Sequence, residues 1–190
     1  ERWLEAAPGL FRENDPNYTI TADDCLIHVV PNHWEEKPYF WGDVQKAHFS
    51  GDQLEFLSQA LDKQPDLPHI LLTHSPVYGL PTGQTGMDEP YHSPDDSFTE
   101  SITALAVKHK NLECVLGAHN HMNMCVDLDD AAVVTVSALT ETPFECKLFE
   151  VTAQQIEMST IPLQSALLFE GEYDTTKSFV QGRPPDRSFT

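Results

Sequence analysis

The sequence predicts an α/β fold in which two sheets pack together with helices outside. Three observations predict it. His69–Thr73 and Cys114–Leu116 are short, near-continuous apolar runs, the pattern of strands covered on both faces. A segment of helical spacing precedes each of them. After His121 the pattern changes to strands alone, so the order of elements is α/β first and meandering β afterwards.

Taken along the chain, Tyr18–Ile20 and Cys25–Val30 read as two short strands around a turn at Ala22-Asp23-Asp24. Residues 31–49 are aromatic and interrupted by proline, without a clear period, and read as a long loop. Ser50 has Gln53 three residues on, the spacing of a capping box, and Leu54, Leu57 and Leu61 then share one helical face until Pro65 and Pro68 stop it. The stretch from Ser75 to Ser93, rich in Gly, Pro, Thr and Asp, reads as a long loop of the functional kind. Ser93-Pro94 has the form of an N-cap followed by proline at the first helical position. Phe98, Ile102, Leu105 and Ala106 continue with helical spacing, and Lys108 and Lys110 bring positive charge to the negative end of the helix dipole. Met124–Asp127, Ala132–Ser137, Cys146–Val151 and Gln155–Thr160 follow as strands. Residues 1–163 are assigned to one domain, read as the C-terminal portion of a larger one. Residues 164–190 form a tail, expected to be a peripheral hairpin or an extended, poorly ordered end.

Of the 190 residues 40% are hydrophobic, enough for one ordinary core. Thirty acidic residues against eleven basic ones give a formal charge of −19, which repels a phosphate backbone or an anionic membrane surface. No apolar run approaches transmembrane length. Cys25, Cys114, Cys125 and Cys146 form no C-x-x-C pair and lie in or beside apolar stretches, so four thiols behaving as small hydrophobes are expected, without a bridge. Asn17-Tyr18-Thr19 matches the glycosylation triplet, which bears on the chain only in a secreted eukaryotic protein. The chain opens at Glu1-Arg2-Trp3 without methionine or a signal-peptide pattern and reads like a cut inside a longer polypeptide.

Two places carry chemistry. Thr73-His74-Ser75-Pro76 follows one apolar strand directly, and Gly117-Ala118-His119-Asn120-His121 follows the next. Both stand at the C-terminal ends of predicted strands, where open α/β sheets place their ligands. Two histidines one residue apart put both imidazoles on the same side of an extended segment, and imidazole suits Zn, Fe, Mn or Ni. Gly117 is expected to let the backbone turn sharply, and Ala118 leaves room beside an ion. His74, His119 and His121 are therefore the candidate metal ligands, on one ion or on two adjacent ions. The plain alternative stands beside this: a single histidine after a strand is more often a loop or cap residue. His28, His48, His69 and His109 are read that way, with no chemical role. His92, Tyr78 and Asp88 are either pocket-lining or ordinary loop residues.

The joint pattern resembles the C-terminal half of a calcineurin-like metallophosphoesterase. The histidine strand, the Gly117–His121 segment and the upstream Phe49–Leu57 stretch all contribute. Val134–Leu139 and Pro143-Phe144-Glu145 are similar to strands of bacterial members related to cyclic-nucleotide phosphodiesterases. The likeness runs over residues 17–162. It implies an α/β/β/α two-sheet sandwich of metallophosphatase type. It also implies hydrolysis of a small phosphoester by a water activated at a centre of two divalent or trivalent ions (Mn, Fe or Zn). His74 and His119 would then bind one ion and His121 the other. The sequence departs from the family in having Gly117-Ala118-His119-Asn120-His121 where G-H-x-H is usual. The family's D-x-H, G-D-x-x-D and G-N-H blocks are missing, and with them the bridging Asp, the Asn ligand and the proton donor, which falls upstream of Glu1. Glu1 stands where the acid after a G-N-H block would stand. Asn32-His33-Trp34-Glu35 is not that block, because no glycine precedes it and it follows a strand. No catalytic or substrate-binding residue is therefore assigned, and the chain alone is expected to hydrolyse phosphoesters poorly or not at all. It is also expected to associate with itself or with the missing N-terminal half, because half a fold leaves apolar strand faces uncovered. The competing readings are a mononuclear metal-binding module using His74, His119 and His121, and a non-catalytic interaction domain whose histidines are structural.

Overall fold

The computed structural model describes residues 15–34, 46–163 and 171–190. Tyr18–Thr21 (β1) and Leu26–Val29 (β2) form the expected antiparallel pair, its turn closed by the Ala22 amide donating to the Cys25 carbonyl at 3.0 Å. The stretch read as a long loop contains a short ladder, His33–Trp34 (β3) against Ala47–His48 (β4); residues 35–45 of that loop lie outside the described residues. Helix Gly51–Leu61 (α1) starts on the predicted capping box. The Gln53 amide donates to Ser50 Oγ, and the Ser50 amide donates back to Gln53 Oε1.

His69–Leu72 (β5) follows, then a four-residue helix Thr82–Thr85 (α2) inside the predicted long loop. Asp96–Lys108 (α3) buries Phe98, Ile102, Leu105 and Ala106 as expected. Its N-cap is Asp95, not Ser93: the Asp95 carboxylate takes the Ser97 amide, whereas Ser93 Oγ turns back toward the Pro90 carbonyl. Leu112–Gly117 (β6), Met124–Leu128 (β7), Ala131–Thr135 (β8), Glu145–Thr152 (β9) and Gln155–Pro162 (β10) complete the main elements.

The result is a mixed α/β chain with a mixed parallel and antiparallel sheet and few helices. Six strands lie in the order β1-β2-β5-β6-β8-β7, with β2, β5, β6 and β8 mutually parallel and the edge strands antiparallel. Alternation along the central strands divides their side chains between two apolar clusters. Leu71, Val115 and Val133 join Leu57 and Leu61 of α1 and Phe98, Ile102 and Leu105 of α3. Ile70, Cys114 and Val134 join Ile156 of β10, with Phe149 and Val151 of β9 packed against them. Both faces of the central strands are thus apolar-covered, except at Leu72, which is 39% exposed where β5 runs out toward the histidines. All four cysteines are free; Cys25 and Cys114 are buried as expected, but Cys146 is exposed because it stands on the outer face of β9.

The tail is tied down rather than extended. Of the expected tail, residues 164–170 lie outside the described residues; the rest forms a 3-10 turn (Thr175–Lys177), helix Ser178–Gln181 (α4), a second 3-10 turn (Pro184–Asp186) and strand Ser188–Phe189 (β11) paired to β10. Buried charge holds it. The fully buried Asp186 carboxylate accepts from the Cys125 amide and from the backbone and side chain of Arg183. Arg187 grips buried Glu145 through two nitrogens, at 2.5 and 3.0 Å, and lies over the Tyr173 ring. Gly182 has φ +77°, and a Cβ there would stand 2.9 Å from Asp186 Cβ and 3.1 Å from Asn123 Cβ, so this close approach requires glycine.

Candidate metal centre

Because β2, β5, β6 and β8 run parallel, their C-terminal ends meet at one edge of the sheet. Asn32 follows β2, His74 follows β5, and His119 and His121 follow β6. The pairing of β5 with β6 continues past both strands: the Thr73 amide donates to the Leu116 carbonyl (2.9 Å), and the Ala118 amide to the His74 carbonyl (3.0 Å). Gly117 permits this. A Cβ on it would meet the Ser75 carbonyl at 2.9 Å and Pro76 Cα at 3.2 Å. Its role is close approach and not the sharp turn expected of it. The turning falls on the histidines themselves, with φ +62° at His119 and +56° at His121. Left-handed backbone is uncommon for any residue but glycine, and such strain gathers at functional sites. The segment is therefore not extended, and its two imidazoles do not share a side by simple alternation.

His74 and His119 come together. His74 Nε2 and His119 Nδ1 are hydrogen-bonded to each other at 3.1 Å, one nitrogen donating and the other accepting, and the rings meet edge to face at 5.0 Å between centroids. Two nitrogens each about 2.1 Å from one ion stand roughly 3.0–3.4 Å apart across octahedral to tetrahedral angles, so this pair has the span of two ligands of a single ion. Burial first, then His121, lowers the His74 pKa. Burial, followed by His74, His92 and His121, brings His119 down to about 4. Both rings are thereby held neutral near pH 7, the form that offers a lone pair to a metal.

His121 stands close enough for its charge to act on both rings, but its Nδ1 is engaged by Glu141 Oε1 at 2.5 Å. Among the described residues no group of three or more His, Cys, Asp or Glu side chains is gathered so as to hold a metal ion. The structure thus brings together two of the three expected ligands and places the third beside them on a carboxylate. His92 is buried, stacked edge-on against Tyr91, and acts electrostatically on His119, whereas Asp88 is exposed and Tyr78 packs against the core. His28 and His69 are core histidines bonded to each other at 2.8 Å, and His109 meets Ser58 at 3.2 Å.

Three further residues shape the site. Asn32 Oδ1 accepts the Ser75 amide at 2.8 Å and lies 3.5 Å from Thr73 Oγ1, fixing the backbone on both sides of His74. The Trp34 ring lies 4.9 Å from His119 and 6.4 Å from His74, walling the pair. Glu141 holds His121. Asn32 reads in the sequence as part of a loop, although its place two residues past the predicted strand Cys25–Val30 is a signal that could have found it. Trp34 and Glu141 gave no signal, since a tryptophan in a proline-rich loop and an acid in a turn are ordinary. No protein-family model matches the chain, and no curated protein is significantly similar to it.

Proposed function

We propose that this chain is the histidine-bearing part of a metal-dependent phosphohydrolase, of the kind the calcineurin-like resemblance implies, built on an α/β/β/α two-sheet sandwich. The observation that carries the reading is the 3.1 Å approach of His74 Nε2 to His119 Nδ1 at the C-terminal edge of the parallel strands. The apolar cluster shared by the central strands with β9 and β10 supports the sandwich. In this reading His74 and His119 hold one divalent or trivalent ion (Mn, Fe or Zn), and His121 the second. Such ions supply positive charge to a phosphoester and lower the pKa of water. The protein's own part is to fix the rings. Asn32 clamps the strand end and Trp34 closes the side. The formal charge of −19 makes a cationic centre the condition for admitting an anionic substrate at all. The D-x-H, G-D-x-x-D and G-N-H blocks that supply carboxylate and amide partners in the family are absent from the sequence, so the 190-residue chain is expected to turn over phosphoesters slowly or not at all.

The test is metal content together with hydrolysis of bis(4-nitrophenyl) phosphate. The chain binds Zn2+ or Mn2+, and alanine at His74 or His119 abolishes that binding. In the polypeptide that completes the centre, His119→Ala lowers turnover at least about 100-fold, the upper range for losing even a supporting residue of a metal site. Unchanged metal content and turnover in that variant would leave the histidines structural. A mononuclear module is the second reading, favoured by the approach of only His74 and His119 to within the span of one ion. One ion per completed polypeptide selects it, and two ions select the hydrolase.

The reading also expects association. On the outer face of β9 and β10, Leu148 (44% exposed) and Ile161 (41%) stand opposite Ser159 and Cys146, with Leu163 (43%) following β10. Sedimentation at rising concentration should show self-association of the chain; a monodisperse monomer throughout would count against it. No helix among the described residues is long and apolar enough to cross a membrane.

A further inference from the structure

We infer that Glu141 is the positioning residue that sets which nitrogen of His121 faces a ligand. This rests on the metal reading of the preceding section. Glu141 Oε1 lies 2.5 Å from His121 Nδ1. A carboxylate accepts and does not donate, so in the neutral ring Nδ1 carries the proton and Nε2 keeps its lone pair. A neutral imidazole has only one such lone pair, and the partner of one nitrogen therefore decides the role of the other.

The local backbone is built for this. His121 is left-handed at φ +56°, which turns the ring away from the direction an extended strand would give it. Glu141 sits in the turn between β8 and β9, which closes through the Phe144 amide donating to the Glu141 carbonyl at 2.6 Å. Its neighbourhood is anchored from below. Asn123, two residues after His121, receives the Ser137 amide on Oδ1 (3.2 Å) and donates to Glu145 (2.8 Å), so the His121 segment and the Glu141 turn are bolted together at both ends. The pair itself is half-exposed, with side chains 52% and 56% accessible, so Glu141 is not needed for the core. A contact this exposed contributes little to stability, which leaves orientation of the ring as what it accomplishes.

The experiment uses the 190-residue chain and Zn2+ as the probe. Long-range 15N–1H spectra of the metal-free protein at pH 8.5 report the tautomer of His121, and calorimetric titration reports affinity. The wild type and Glu141→Gln, which keeps an acceptor oxygen, show His121 protonated at Nδ1. Glu141→Ala shifts it toward Nε2–H and weakens Zn2+ binding about 10- to 100-fold, with unchanged circular dichroism. Nε2–H in the wild type overturns the inference. So does a Glu141→Ala chain with wild-type affinity when His121→Ala has lost it, and that result leaves the metal reading standing. If His121→Ala binds as tightly as the wild type while His74→Ala does not, the inference fails together with the second ion. Loss in none of the three variants sinks the metal reading itself.

Discussion

Arg187→Ala is expected to destabilise the fold by about 3–5 kcal/mol, the range for removing one partner of a buried ion pair. Glu145 is 1% exposed and takes both Arg187 nitrogens as well as Asn123 Nδ2. Without the guanidinium its charge is left in the interior with one neutral donor. The Tyr173 ring loses the cation stacked on it at 4.0 Å, and the Gln181 carbonyl loses its 2.7 Å bond. Urea unfolding followed by circular dichroism measures the effect. A matched double change, Glu145→Gln with Arg187→Met, should recover much of the loss, because no bare charge then remains inside. If Arg187→Ala shifts the unfolding free energy by less than about 1 kcal/mol, the tail is not held by this pair.

The second large effect is an acid sensitivity seated in the core, apart from the candidate site. His28 and His69 are both fully buried and joined at 2.8 Å. Thr19 Oγ1 lies 2.9 Å from His28 Nδ1, and His69 Nε2 faces the Gln64 carbonyl at 3.3 Å. One proton arrangement satisfies every member. His69 donates to Gln64, His28 donates to His69, and the Thr19 hydroxyl donates to His28. A proton added to His28 places a charge in the interior beside His69 and obliges the Thr19 hydroxyl to turn and accept instead. Burial, then His69 and Lys63, accordingly lower His28 from 6.5 to about 4. His69 moves the same way, chiefly through burial, with His109 adding to it and the Gln64 and Lys63 carbonyls opposing it. Because the folded value is the depressed one, the stabilisation is complete above pH 6.5 and is lost as the pH falls toward 4. At about 1.4 kcal/mol per pH unit, His28 alone accounts for about 3 kcal/mol over that interval. Carboxylates titrate in the same window, so the readout is the difference between the wild type and His28→Asn. The variant should be less stable at pH 7.5 and should lose less on acidification. Parallel pH curves for the two proteins would remove His28 from the account.

Much of this molecule was legible in the order of its residues. The Ser50–Gln53 box, the Phe98–Ala106 stripe and the runs at His69 and Cys114 were readable because local propensity and tertiary burial agree there. The position of His74 and His119 at neighbouring strand ends was readable for the same reason, since strand direction follows from alternating helices and strands. What was not readable depends on partners distant in sequence. Asp186 and Arg187 read as charges in a proline-rich end, yet they are bound to Cys125 and Glu145. Glu141 reads as one acid among thirty, and only the fold puts it on His121. The direction of the His119 and His121 rings was misjudged because alternation assumes an extended chain, whereas both residues are left-handed.

Those two left-handed histidines carry an evolutionary implication. Glycine suits the backbone at both positions better than imidazole does. In the proposed reading, folding and ligand chemistry therefore pull on residues 119 and 121 in opposite directions. In a lineage released from the chemistry, mutational drift should erase these rings early, long before it touched the strands that carry them.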